Sequence, residues 1–210
     1  YDHFKESFNL NRESQKRRNK SFIIICCLEA LSFLLLIRPE KVIIIIESGI
    51  SKQMDASIQL GITIVQTLLW LMLGYAIIRY IQDMLYIERQ YKYLDKVEKE
   101  LNTILSSNIF NREGKDYQKD YPIVLNLIDL FYKMFMPIMI EVINSIRIIA
   151  EWRKTSKNNV AVICDTVLFW VIFLIVWFYF FEIHSKITVF LKTHVPIIGK
   201  MSKIIRKILK

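Results

Sequence analysis

Three ionisable residues lie inside a long apolar stretch in the second half of the chain. Residues 120–152 read DYPIVLNLIDLFYKMFMPIMIEVINSIRIIAEW and include Asp129, Lys133 and Glu141. A charged side chain at the centre of a bilayer costs about 2.5–3.5 kcal/mol on insertion scales. Asp129 and Lys133 are one helical turn apart and can form an ion pair. Glu141 has no such partner in its own helix, because Arg147, six residues further on, falls on a poorly matched face.

Polar residues recur at helical spacing along this stretch. Steps of three or four residues place them on one face of a helix, which we call the polar stripe. Its members are Asn126, Asp129, Lys133, Pro137, Glu141, Asn144 and Ile148. The other apolar segments add the polar candidates Glu29, Gln66 and Asp165. An ionisable residue inside a membrane segment is a functional hypothesis by default.

Two interpretations of the polar stripe follow. In the first, its groups satisfy one another between the helices of a bundle. In the second, the stripe lines a water-filled path that forms when several copies assemble. Four short helices enclose little space, so the second interpretation places the path on the symmetry axis of a homo-oligomer.

The composition favours an all-α membrane protein. Of the 210 residues, 53% are hydrophobic and only 5 are Gly and 4 are Pro, whereas soluble domains carry fewer apolar residues. Four segments approach the roughly 20 residues that a membrane-spanning helix needs; they are 21–37, 59–82, 122–150 and 160–181. The segment after Pro39 is too short to span, and reads as an interfacial segment, a strand or a kinked extension of the first helix.

These spans divide the chain into five parts. We predict a basic N-terminal segment, a first transmembrane hairpin, a helix with a loop, a second transmembrane hairpin and a basic amphipathic C-terminal segment, over 1–20, 21–82, 83–121, 122–181 and 182–210. Basic clusters at both ends predict that both termini and the middle part are cytoplasmic. The loop with Arg153, Lys154 and Lys157 disagrees, because this topology places it outside.

The second span continues into a charged helix without Gly or Pro. Apolar residues recur along it at near-heptad spacing, and we call this row the seam: Ile87, Leu94, Val97, Leu101 and Ile104. A seam needs a partner helix, which is either a neighbouring subunit or the N-terminal segment of the same chain. The tail is predicted to be a helix on the inner leaflet, with Lys200, Lys203, Lys207 and Lys210 near anionic lipid. Its apolar opposite face favours lipid over nucleic acid as the partner.

The motifs of common enzymes are missing from the sequence. There is no phosphate loop, dinucleotide turn, HExxH or nucleophile elbow, and the three histidines are far apart. We therefore expect no enzymatic activity, no cofactor and no metal site. Cys26, Cys27 and Cys164 lie in apolar runs, which predicts buried thiols.

The stretches IERQYKYLDKVEKEL and FNREGKDYQKDYP, followed by a helix, resemble a known group of proteins over residues 86–137. The group consists of small four-helix membrane proteins of bacterial antiphage defence systems, such as the Kiwa-type membrane component or pore-forming effectors. This resemblance implies a homo-oligomer in the bacterial inner membrane that works with a cytosolic effector or sensor. We expect a triggered ion-conducting pore or a sensor of membrane disturbance. The alternative is a non-conducting anchor that holds a soluble effector.

Overall fold

The computed structural model describes residues 2–54, 61–105, 123–154 and 160–183, which are almost entirely helical. This confirms the all-α class. The helices are α1 (Asp2–Ile37), α2 (Pro39–Met54), α3 (Ile62–Leu105), α4 and α5 (Val160–Ile183). Helix α4 has three consecutive parts, Ile123–Leu130, the π-helical turn Phe131–Phe135, and Met136–Lys154.

Three helices are long and apolar enough to cross a membrane, and they indicate a membrane location. They are Glu6–Ile37, Ile62–Ile104 and Val160–Phe181. The first two extend well beyond the predicted spans, because polar segments continue the same helices outside the apolar part. Helix α4 does not belong to this group, since its π-helical turn divides it and five charged residues lie in its last part.

The segment after Pro39 is a kinked helical extension, which was one of the three predicted outcomes. Pro39 has no amide hydrogen and interrupts the helix at a single point. Helical hydrogen bonds continue on both sides, with the Arg38 amide donating to Leu34 O over 2.8 Å and the Val42 amide to Arg38 O over 3.2 Å.

Each helix buries one face and turns the other outward. In α5 the buried residues follow steps of three and four: Val162, Asp165, Phe169, Ile172, Val176 and Tyr179. In α1 they are Ile25, Leu28, Glu29, Ser32, Leu35 and Leu36. Acidic residues therefore occupy core positions among aliphatic neighbours. The prediction of buried thiols is wrong, because all three cysteines lie on outward faces.

The first part of α1 packs antiparallel to the end of α3. Arg17 Nε lies 3.2 Å from Asp83 Oδ1, and Gln15 Nε2 donates to the Tyr91 hydroxyl over 3.1 Å. The N-terminal segment of the same chain thus covers the first half of the seam, where Ile87 and Leu94 are buried.

The second half of the seam is open. Val97 and Leu101 are only partly buried, and Ile104 is 78% exposed. The predicted C-terminal helix with Lys200, Lys203, Lys207 and Lys210 lies outside the described residues, as does the side chain of Asn126.

The two halves of the seam should respond differently to a charge. Leu94→Asp places a carboxylate in a buried contact, and we expect it to destabilise the α1–α3 pair by at least about 3 kcal/mol. Ile104→Asp should leave folding unchanged, because its site is exposed. Thermal unfolding in detergent measures both, and equal losses of stability would contradict this division.

Candidate functional site

An arginine and a glutamate form a buried ion pair near the end of α4. Arg147 is 1% and Glu151 is 2% exposed, and Arg147 Nε lies 3.1 Å from Glu151 Oε1. The indole of Trp70 on α3 donates to both oxygens of Glu151, at 3.1 Å each. The Arg147 guanidinium also lies over the Trp70 ring, 4.1 Å from its centroid. We call these three residues the outer cluster.

The backbone of α3 also provides a hydrogen-bond acceptor for Arg147. Arg147 Nη2 donates to the carbonyl oxygen of Gln66 over 3.3 Å. Gln66 was predicted as a site residue, and its main-chain carbonyl contacts the cluster. The cluster therefore joins α3 to α4 by hydrogen bonds, an ion pair and a cation–π contact.

Arg147 does not pair with Glu141, whose two oxygens have no hydrogen-bond partner within the described residues. The buried face of α4 is wide and includes Ile140, Asn144, Arg147, Ile148 and Glu151, because three other helices surround it. Neither Glu151 nor Trp70 was among the predicted site residues, although one further step of three from Ile148 reaches Glu151. The available signal was the four-residue step from Arg147 to Glu151, which is the step of a helical ion pair.

Halfway along the helices lie three polar residues with unpaired atoms, Glu29, Glu141 and Asn144, which we call the middle cluster. Glu29 is 6% and Asn144 is 0% exposed, whereas Glu141 is partly buried. Within the described part of the chain, both side-chain oxygens of each glutamate and both polar atoms of the amide have no hydrogen-bond partner. Buried polar groups are almost always paired, so this cluster is exceptional.

The carboxyl groups in this interior outnumber the guanidinium that faces them. Glu29 and Glu141 interact electrostatically with each other, and Glu29 also interacts with Arg147. The buried Asp165 of α5 interacts with Arg147 and Glu151. The guanidinium of Arg147 is thus shared by three carboxyl groups, those of Glu29, Glu151 and Asp165, and Glu151 makes the closest contact.

A second ionic group lies near the start of α4. Lys133 Nζ is 2.7 Å from Asp129 Oδ2, which confirms the predicted pair, and 3.0 Å from Glu88 Oε2 on α3. We call these three residues the inner cluster. The sequence does not predict Glu88 as a partner, because it lies on a different helix.

The π-helical turn beside the inner cluster has a clear physical origin. Pro137 has no amide hydrogen for the carbonyl of Lys133, four residues earlier. The Met136 amide donates to Phe131 O instead of to Tyr132 O. Tyrosine hydroxyls satisfy the two freed carbonyls, with Tyr80 donating to Tyr132 O over 2.7 Å and Tyr179 donating to Lys133 O over 3.0 Å.

Aliphatic side chains separate the inner cluster from the other two. Ile77 lies between Trp70 and Tyr80 along α3, and Ile140 lies between Arg147 and Lys133 along α4. Together with Ile25, Leu73, Ile172 and Val176 they belong to one buried core. We call this set the apolar layer. It contains no polar side chain, so it separates two polar regions of the same interior.

The structure divides the predicted site residues among these levels. Asp129 and Lys133 are in the inner cluster, Glu29, Glu141 and Asn144 in the middle cluster, and Asp165 and Gln66 beside the outer cluster. Helices of the same chain cover the buried part of the polar stripe, which includes Pro137, Asn144 and Ile148. Among the described residues, no three His, Cys, Asp or Glu side chains are placed to hold a metal ion.

The ion pair of the outer cluster should contribute strongly to the stability of the fold. Arg147→Met leaves Glu151 buried without its cation, and we expect a loss of about 3–5 kcal/mol in the free energy of unfolding. Arg147→Met combined with Glu151→Gln should recover part of that loss. Unfolding in detergent micelles measures both variants, with exposed Arg153→Met as control. An Arg147→Met variant as stable as this control would contradict the prediction.

A double-mutant cycle can test the hydrogen bond that Tyr179 donates to the carbonyl oxygen of Lys133. Tyr179→Phe removes its donor, and we expect a loss of about 1–3 kcal/mol in the free energy of unfolding. Pro137→Ala restores an amide hydrogen that can donate to the same carbonyl, so the loss should shrink in that background. Tyr75→Phe, at an outward-facing tyrosine, is the control. Equal losses in both backgrounds would show that Tyr179 does not cover this carbonyl.

The chain matches no family model, no curated protein and no solved structure.

Proposed function

We propose that this chain is a triggered, ion-conducting protein of the bacterial inner membrane. The observation that carries this proposal is the excess of buried carboxyl groups over guanidinium in the middle and outer clusters. Uncompensated charge is expensive inside a membrane protein and marks ion pathways and proton relays. A bundle with a purely structural interior would gain stability from aliphatic residues at these positions.

The length of α4 supports a fourth membrane span. Near one end of α4, Tyr132 packs edge-on against Phe22 of α1 with ring centroids 5.6 Å apart. At the other end, Lys154 Nζ donates to the carbonyl oxygen of Leu36 in α1. The 22 helical steps from residue 132 to residue 154 correspond to about 33 Å, close to the thickness of the hydrocarbon core.

The contact of Lys154 also bears on topology. Four spans place both termini in the cytoplasm, as the basic terminal segments predict, and the loop after α4 outside. Lys154 lies at the C-terminal end of α1, where a cation is favourable beside free carbonyl groups. This positive charge has a structural role, which supports the four-span topology despite the basic loop.

The apolar layer supports a closed resting state. Ions on one side of such a layer must lose their water to cross it, and hydrophobic constrictions in channels close by excluding water. The middle and outer clusters then form a polar chamber on one side, and the inner cluster forms the cytoplasmic end. A trigger opens the protein by separating the helices at Ile77 and Ile140.

A polar substitution in the apolar layer should open the path without a trigger. We expect Ile140→Ser to raise ion flux at least tenfold in liposomes of phosphatidylethanolamine and phosphatidylglycerol. Ile138→Ser is the matched control, because Ile138 lies two residues away on an outward face. Release of a trapped ion gradient measures the flux. No flux from Ile140→Ser protein that remains folded would reject the conducting function.

The exposed end of the seam favours a second candidate, a scaffold that holds a soluble effector. Tyr93 and Ile104 are large apolar side chains on the outward surface of the α1–α3 pair. We propose that this surface binds a further copy or a cytosolic partner, as the resemblance to defence proteins implies. Native mass spectrometry and phage plating of Ile104→Asp test it, with Lys96→Asp as an exposed control. We expect Ile104→Asp to lose both the complex and the protection against phage, and Lys96→Asp to keep both.

A further inference from the structure

We propose that Glu29 and Glu141 form a carboxyl pair that holds one proton, and that the proton is the ion that this path carries. The second part rests on the proposed conducting function. The first part is a statement about the resting protein and stands by itself. Transfer along the pair needs no redox step, because a carboxylate oxygen accepts a proton from one side and releases it to the other.

The two glutamates lie at a similar height, halfway along the bundle. Glu29 lies midway between Phe22 and Leu36 on α1, which contact the two ends of the α4 span. Glu141 lies near the midpoint of residues 132–154 on α4. The two carboxyl groups interact electrostatically, and Asn144 lies one helical turn after Glu141. This position is far from both ends of the helices. Charged groups are costliest there, near the centre of the membrane.

Partners for two negative charges are lacking here. Both oxygens of each glutamate are unpaired within the described residues, and so are both polar atoms of Asn144. Two carboxylates that interact in a medium of low dielectric constant repel each other, and one proton removes the repulsion. The two carboxyl groups then titrate as a pair.

The surrounding groups do not supply a competing cation. Arg147 of α4 is the cation that interacts with Glu29, and its Nε is bound to Glu151. Asp165 of α5 adds negative charge next to Arg147. Cys26 also interacts with Glu29, and it lies on the outward face of α1. Arg147 therefore pairs with Glu151, and none of its hydrogen bonds reaches Glu29 or Glu141, whose oxygens are unpaired within the described residues.

A metal cation fits this site less well than a proton. Calcium takes six to eight oxygen ligands, and magnesium requires an octahedron of ligands and retains water. The middle cluster offers two carboxylates and one amide, and the described residues hold no group of three or more metal-binding side chains. A proton needs only one of these oxygens and a second as acceptor.

Infrared difference spectroscopy tests the pair in the resting protein. We expect wild-type protein at neutral pH to show a protonated carboxyl band. Glu29→Gln combined with Glu141→Gln should remove the intensity of one carboxyl group. Glu100→Gln, on the exposed surface of α3, is the control and should leave the band unchanged. A band of unchanged intensity in the double variant overturns the carboxyl pair.

Flux measurements in the Ile140→Ser background test the identity of the ion. We expect proton flux to exceed potassium flux, and expect Glu29→Gln or Glu141→Gln to reduce proton flux at least tenfold. Glu100→Gln should not change it. Potassium flux equal to proton flux, or full proton flux through both glutamine variants, overturns the proton path. No flux of any ion instead rejects the proposed function, and the infrared result still decides the pair.

Discussion

The buried guanidinium of Arg147 obtains its partners from several helices, while its Nη1 has no hydrogen-bond partner within the described residues. It takes a carboxylate from its own helix, a carbonyl and an indole ring from α3, and electrostatic compensation from α1 and α5. Because the contacts with α1, α3 and α5 are not available to an isolated helix, the arginine requires the assembled bundle. The same requirement fixes the rotation of α4, whose buried face follows Arg147 and Glu151.

In the half of the bundle that contains the inner cluster, backbone carbonyl groups likewise need hydrogen-bond partners from other helices. A carbonyl without an amide donor is costly where water is absent, and Pro137 creates such a carbonyl at Lys133. The helix widens into a π turn, and tyrosines of α3 and α5 supply hydroxyl groups. One proline therefore dictates the contacts of two other helices. Both halves of the bundle are specified by polar groups, while the aliphatic layer between them supplies apolar burial.

Patterns within one helix could be predicted from the sequence, and contacts between helices could not. The all-α class, the uninterrupted α3 and the Asp129–Lys133 pair follow from spacing and composition. Glu88 and Trp70 escape such reasoning, since each meets its partner across a helix interface. The covered half of the seam shows what a sequence pattern cannot predict. Its period indicates that Leu94 needs a partner, but only the fold shows that the partner belongs to the same chain.

The unbroken length of α3 has a mechanical consequence. The helix has 44 residues, or about 66 Å at 1.5 Å per residue, and from Tyr75 to its end it contains neither Gly nor Pro. A rod of this kind transmits tilt and torque with little bending. Ile104 lies at its C-terminal end, and the indole of Trp70, which donates to Glu151, lies near its N-terminal end. A load applied at the C-terminal end is therefore transmitted along the helix to the ion pair of α4.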